Sequence, residues 1–163
     1  FIDYFRDERF KKMKVLEVGS SLGHSTRIMS FLFDKVIAID NLPERHVKSS
    51  KLNYDRNNIE FVIMDVYNQP WNFEPVDIVF IDCVHDYQHV KSDIDNAINT
   101  FDKPIIVFDD YGLFPELKRA IDEYISDGIL RLDTYLGMPE GTYYPKTLNK
   151  ELKDWEGMVC TVV

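Results

Sequence analysis

Glu17-Val18-Gly19-Ser20-Ser21-Leu22-Gly23-His24-Ser25-Thr26 is the stretch on which the reading of the chain turns. The apolar run Val15–Val18 leading into it reads as a buried strand, and Gly19 to Gly23 as the turn that leaves the strand. From His24 to Phe33 the apolar residues recur at helical spacing. Gly19 lets the backbone turn sharply, and Gly23 allows close approach at the start of the helix. A helix beginning there offers free N–H groups to a carboxylate or phosphate. Strand, glycine turn and helix N-terminus together form a ligand cradle.

The same alternation continues outward. Val36–Ile39 is a second buried strand ending at Asp40, and Pro43 suits the first turn of a helix running to about Tyr54. Ile59–Met64 ends at Asp65, and Val76–Ile81 ends at Asp82. Gln88–Phe101 is amphipathic, with Val90, Ile94, Ala97, Ile98 and Phe101 on one side. Pro104–Phe108 is a fifth strand ending at Asp109-Asp110, followed by a helix over Pro115–Ser126. Continuous apolar strands separated by helices indicate a parallel sheet covered on both faces. Ile129–Leu136 and Met158–Val163 are joined without a clear helix and predict an antiparallel pair. The expected fold is α/β: a Rossmann-like doubly wound sheet, mostly parallel, with a C-terminal antiparallel strand pair. Length fits one domain over residues 1–163, with a short helix in residues 1–13.

Composition narrows the function classes. The formal net charge of -9 repels phosphate backbones, so nucleic acid is disfavoured as a partner. Lys11, Lys12 and Lys14 form the one dense basic cluster, which reads as solvated surface. Cys83 and Cys160 make neither a disulfide framework nor a zinc pattern, so a reducing, cytoplasmic setting is expected. No apolar run approaches the roughly 20 residues of a membrane span. The sequence opens on Phe1 rather than Met, so its start is read as trimmed or processed.

Glu17, Asp40, Asp65, Asp82 and Asp109 each stand at or near the C-terminal end of a strand, the edge at which open α/β sheets bind ligands. A single such Asp is commonly a helix cap. A series of them facing one crevice calls for a ligand. The glycine spacing is not the G-x-G-x-x-G of nicotinamide enzymes. A carboxylate at Glu17 would face pyrophosphate in such a site, whereas a zwitterionic amino-acid ligand could use it at its ammonium end.

With E-x-G-x-x-x-G followed by an acidic end to the second strand, the sequence resembles class I S-adenosylmethionine-dependent methyltransferases. The resemblance implies a cofactor site of Glu17, Gly19, Ser20, Gly23, Asp40, Asp65 and Asp82. Asp40 would take the ribose hydroxyls, and Asp65-Val66 would read the adenine. Val79-Phe80-Ile81-Asp82-Cys83-Val84-His85-Asp86-Tyr87 and Ile106-Val107-Phe108-Asp109-Asp110-Tyr111-Gly112 are similar to segments of small-molecule O-methyltransferases that use a divalent metal. That likeness implies metal ligands at Asp82, Asp109 and Asp110. Related enzymes carry a longer N-terminal helical segment, relative to which residues 1–13 look truncated.

Elementary chemistry agrees with a cation. Adjacent strand ends lie about 4.8 Å apart, and carboxylates gathered there repel unless a cation or protons compensate. All-oxygen ligation suits Mg²⁺, Ca²⁺ or Mn²⁺, with Mg²⁺ expected. His85 is the candidate general base, three residues after Asp82, which would itself contact the substrate. His89 could share a helix face with His85 as a metal pair, and His24 reads as a solvent or capping residue. The long connection from Gly137 to Gly157 could wall a substrate pocket, with Tyr143 and Tyr144 stacking on a ring, or be an extended hairpin. The expected activity is methyl transfer to a hydroxyl on a small molecule, with a homo-oligomer left open. An NAD-dependent oxidoreductase and a non-catalytic adenosylmethionine-binding regulatory module are the rivals.

Overall fold

The structure, a computed structural model, describes residues 1–144 and 150–163. The elements run α1 (Ile2–Phe5), a 3₁₀ turn (Glu8–Phe10), β1 (Lys14–Val18), α2 (His24–Leu32), β2 (Lys35–Asp40), α3 (Pro43–Leu52), β3 (Ile59–Ile63) and β4 (Ile78–Ile81). After these come α4 (Tyr87–Thr100), β5 (Ile105–Phe108), α5 (Pro115–Ser126), β6 (Leu130–Leu136), β7 (Tyr143–Tyr144), β8 (Lys150–Glu151) and β9 (Gly157–Val162). A seven-stranded sheet has the order β3-β2-β1-β4-β5-β9-β6, and β7 pairs with β8 separately. β1 to β5 are parallel, whereas β9 runs antiparallel to both β5 and β6. The doubly wound sheet and its antiparallel C-terminal strands are as the sequence predicts.

Period-two alternation separates two cores. Val15, Val36, Ala38, Ile78, Phe80 and Val107 meet Phe5 and Phe10 of the N-terminal segment and Met29 and Phe33 at α2. Leu16, Ile37, Val79 and Ile106 point the other way, against Val90, Ile94 and Ala97 of α4 and Leu117 and Ile121 of α5. β3 departs from expectation: it lies at the edge, and Glu60 and Ile63 are exposed. The N-terminal segment is not one helix either. It breaks after α1, and Asp7 caps the 3₁₀ turn by accepting from the Arg9 amide at 3.0 Å.

Register brings the strand ends level. Val18 lies beside Ile39 and Ile81, and Ile81 beside Phe108. The amides of Gly19 and Ser20 donate to the Ile39 carbonyl, and the Asp82 amide donates to that of Val18 at 2.9 Å. Gly19, Asp40, Asp82 and Asp109 therefore leave the sheet along one edge. No helix among the described residues is long and apolar enough to cross a membrane.

Candidate active site

A cavity of about 470 Å³ opens at the switch point between β1 and β4, within the range of small-molecule sites. Gly19, Asp40, Asp65 and Asp82 line it, together with Arg45, Tyr67, Cys83 and Val84. The Asp40 carboxylate accepts from the amides of Ser21 and Leu42, each at 2.9 Å, and faces Arg45 at 3.6 Å. Asp65 accepts from the Tyr67 amide and the Asn68 side chain, and these bonds hold its carboxyl below the ordinary range.

The other expected cofactor residues are not among those lining this cavity. Glu17, Ser20 and Gly23 are buried. Glu17 points to the α2 side of the sheet, where both its oxygens accept hydroxyls, from Ser25 and, at 2.5 Å, from Thr26. These bonds tie the first turn of α2 to β1. Burial pushes the Glu17 carboxyl up to about 7, against the pull of the two hydroxyls. Gly23 starts α2 with φ +82°, and a Cβ there would lie 2.0 Å from Ser49 Oγ. The close approach foreseen for Gly23 is thus between α2 and α3. Gly19, with φ +98°, likewise has no room for a Cβ, because the Asp82 carbonyl would lie 2.0 Å away.

Beside the cavity, Asp82, His85 and Asp110 converge, with one ligand atom of each within 4.8 Å of the others. His85 Nε2 lies 3.6 Å from Asp82 Oδ1 and 3.8 Å from Asp110 Oδ2, beyond hydrogen-bonding reach of either. It is buried without a hydrogen-bond partner. The ring is held by stacking on Phe114, 4.4 Å away and nearly parallel. Burial alone would lower the imidazole's pKa, but the charges of Asp82, Asp110 and Asp109 outweigh it and raise it. Burial and Asp82 push Asp110 up to about 6 despite the histidine.

Asp109 was expected beside Asp82 and Asp110, but it is absent from this group. The backbone turns at Asp110, where φ is +59°, and Asp109 opens instead onto a second cavity on the α2 face. Burial first, then repulsion from Asp82 and Asp110, brings its carboxyl to about 7. His89 does not join His85. It sits in the first turn of α4, paired with Asp86 at 2.6 Å, which also caps that helix. His24 is exposed. The side chains of Tyr143 and Tyr144, and residues 145–149, lie outside the described residues.

Phe114, Tyr67 and Arg45 were not singled out from the sequence. Arg45 carried a signal, being one turn into the helix after Asp40. Phe114 and Tyr67 carried none beyond being aromatic.

Residues 16–111 match the sequence model of a family described as a methyltransferase domain. The chain belongs to that family. No curated protein matches the methyltransferase chain. Among solved structures, the N-methyltransferase NodS from Bradyrhizobium japonicum in complex with S-adenosylhomocysteine superposes with a TM-score of 0.69 at 14% identity, over 98% of this chain and 81% of that one. The O-methyltransferase from Bacillus cereus, also in complex with that product, gives 0.65 at 16% identity, over 93% and 74%. An rRNA methylase from Streptococcus thermophilus gives 0.62 at 17% identity, over 94% and 87%. At these identities the likeness is one of fold, and the acceptors of the three differ in kind.

Proposed function

We propose that the protein transfers a methyl group from S-adenosylmethionine to a hydroxyl of a small molecule, assisted by a divalent cation. The observation that carries this reading is the convergence of Asp82, His85 and Asp110 beside the glycine-turn cavity. The buried Nε2 without a partner supports a cation between the three, because its distances to both carboxylates are too long for hydrogen bonds and leave room for an ion. An imidazole in the set favours Mn²⁺ or a similar transition ion over the Mg²⁺ and Ca²⁺ that all-oxygen ligation would suit.

Bound adenosylmethionine supplies an electrophilic methyl group, and a bound cation supplies Lewis acidity that lowers the pKa of an acceptor hydroxyl. The protein's own residues orient and exclude water. Asp40, fixed by two backbone amides, presents its carboxylate to the vicinal hydroxyls of a ribose. Asp65, Val66, Tyr67 and Val84 wall the far end as the adenine site. Asp82 stands between cofactor cavity and cation group and aligns the two, so that proximity and orientation carry most of the catalysis. His85, if it ligands the cation, is not a free general base.

Thermal unfolding with adenosylhomocysteine, with and without Mn²⁺ or Mg²⁺, tests both halves, since a ligand of the folded state raises the midpoint. The expected result is a shift with adenosylhomocysteine and a further shift with Mn²⁺. Protection by NAD alone would replace the reading with an oxidoreductase. Protection by adenosylhomocysteine with neither cation effect nor turnover on any hydroxylated acceptor would make the protein a regulatory module.

A further inference from the structure

α4 carries a carboxyl that the proposed reaction does not use. Asp93 is fully buried, on the helix face that also buries Val90, Ile94 and Ala97. A carboxyl taken out of water is costly unless it is bonded, and burial lifts this one to about 7. Its Oδ2 accepts from the Tyr67 hydroxyl at 3.1 Å, while Oδ1 has no partner among the described residues. The polar contact that Asp93 makes is therefore with a wall of the glycine-turn cavity, which Tyr67 lines.

Tyr67 stands in the connection from β3 to β4, outside any helix or strand. The Met64 amide ties the start of that connection to the Asp40 carbonyl at 3.1 Å. Asp65 braces it from within, and Trp71 Nε1 donates to the Val66 carbonyl at 3.1 Å. The Tyr67–Asp93 bond fastens it to α4. The Tyr67 ring also meets that of His89 edge-on at 4.3 Å. Its hydroxyl has the Cys83 side chain and the Val84 backbone as further neighbours. Two segments that line the cavity, 64–67 and 82–84, thus come together at one hydroxyl whose proton Asp93 receives. We propose that Asp93 is a positioning residue for the cofactor, holding the adenine end of the cavity in its binding shape through Tyr67. A wall fixed in advance spares the ligand the cost of ordering it. That this end takes adenine rests on the methyl-transfer reading; the anchoring of Tyr67 does not.

Isothermal titration of adenosylhomocysteine into the intact chain tests the role in Tyr67→Phe, Asp93→Leu, Asp93→Asn and the double variant Tyr67→Phe/Asp93→Leu, each below its own melting midpoint. Tyr67→Phe and Asp93→Leu should each weaken binding about three- to tenfold, the span of one hydrogen bond. Asp93→Asn, whose amide oxygen can still accept from Tyr67, should restore affinity to within about twofold of the unmodified chain. The double variant should bind no more weakly than the weaker single one, because both changes remove the same bond. A role confined to stability would instead lower the melting midpoint and leave the affinity of the folded protein unchanged. Full affinity in Tyr67→Phe and Asp93→Leu, losses that add in the double variant, or Asp93→Asn as weak as Asp93→Leu would overturn the proposal. Should Asp93→Leu fail to fold, Tyr67→Phe removes the same bond with the ring in place and decides alone. No binding of adenosylhomocysteine by the unmodified chain would overturn the methyl-transfer reading itself; binding that the variants leave untouched would overturn the positioning role only.

Discussion

Asp40 shows how much of one residue's role lies in the backbone around it. Its two oxygens hold the amides of Ser21 and Leu42, so the carboxylate shapes the turn it would also present to a ligand. Asp40→Asn loses the charge and, because its NH₂ cannot accept, one of the two bonds from backbone amides. Adenosylhomocysteine affinity should fall about tenfold or more, the range expected for bonds to a charged group, as isothermal titration would measure. His85 offers a cleaner test, because Phe114 holds the ring without a hydrogen bond. His85→Ala should abolish the Mn²⁺-dependent rise in melting midpoint while adenosylhomocysteine still protects. A full Mn²⁺ effect in that variant would remove His85 from the cation site. At this scale the sequence showed which carboxylates end strands, and not which way each turns. Asp109 and Asp110 are neighbours, yet with the left-handed backbone at Asp110 the first lines the cavity on the α2 face and the second joins Asp82 and His85, a conformation no spacing rule for non-glycine residues announces.

At the scale of elements, periodicity sufficed wherever a face was buried. Val15 and Leu16 alternate between two cores, so β1 was legible from its apolar run. β3 was read as buried because apolar residues fill it, but its place at the edge depends on which strands pair, a tertiary choice. The glycines differ in the same way. Gly23 and Gly128 both have positive φ, at +82° and +71°. Gly128 follows the end of α5 with nothing within 4 Å of a Cβ, whereas Gly23 is pressed against Ser49 of α3. Gly128→Ala should therefore cost only the backbone strain, about 1 kcal/mol. Gly23→Ala adds a clash to that strain and should cost about 2–4 kcal/mol. Urea denaturation of the two variants measures the difference; equal losses would mean that the α2–α3 contact yields easily.

Across the whole molecule, the buried carboxylates set a pH dependence. Glu17, Asp93 and Asp109 are each raised to about 7, in every case chiefly by burial, against about 4 in an unfolded chain. Between those values the folded state holds more protons than the unfolded one, so stability falls as pH rises through the window. The melting midpoint should be higher at pH 5 than at pH 8. Glu17→Gln should flatten the decline by up to about 3 kcal/mol, its amide oxygen still accepting one hydroxyl. A midpoint that rises with pH would contradict the burial assigned to these groups. The strand order carries a different consequence, for biosynthesis. β6 joins the large sheet only through β9, which is made after it and enters between β5 and β6. While the chain emerges from a ribosome, β5 and β6 each wait with an open edge for the same late strand. A stall before Gly157 would leave two unpaired edges on a half-built sheet, the state in which such a nascent chain most needs a chaperone.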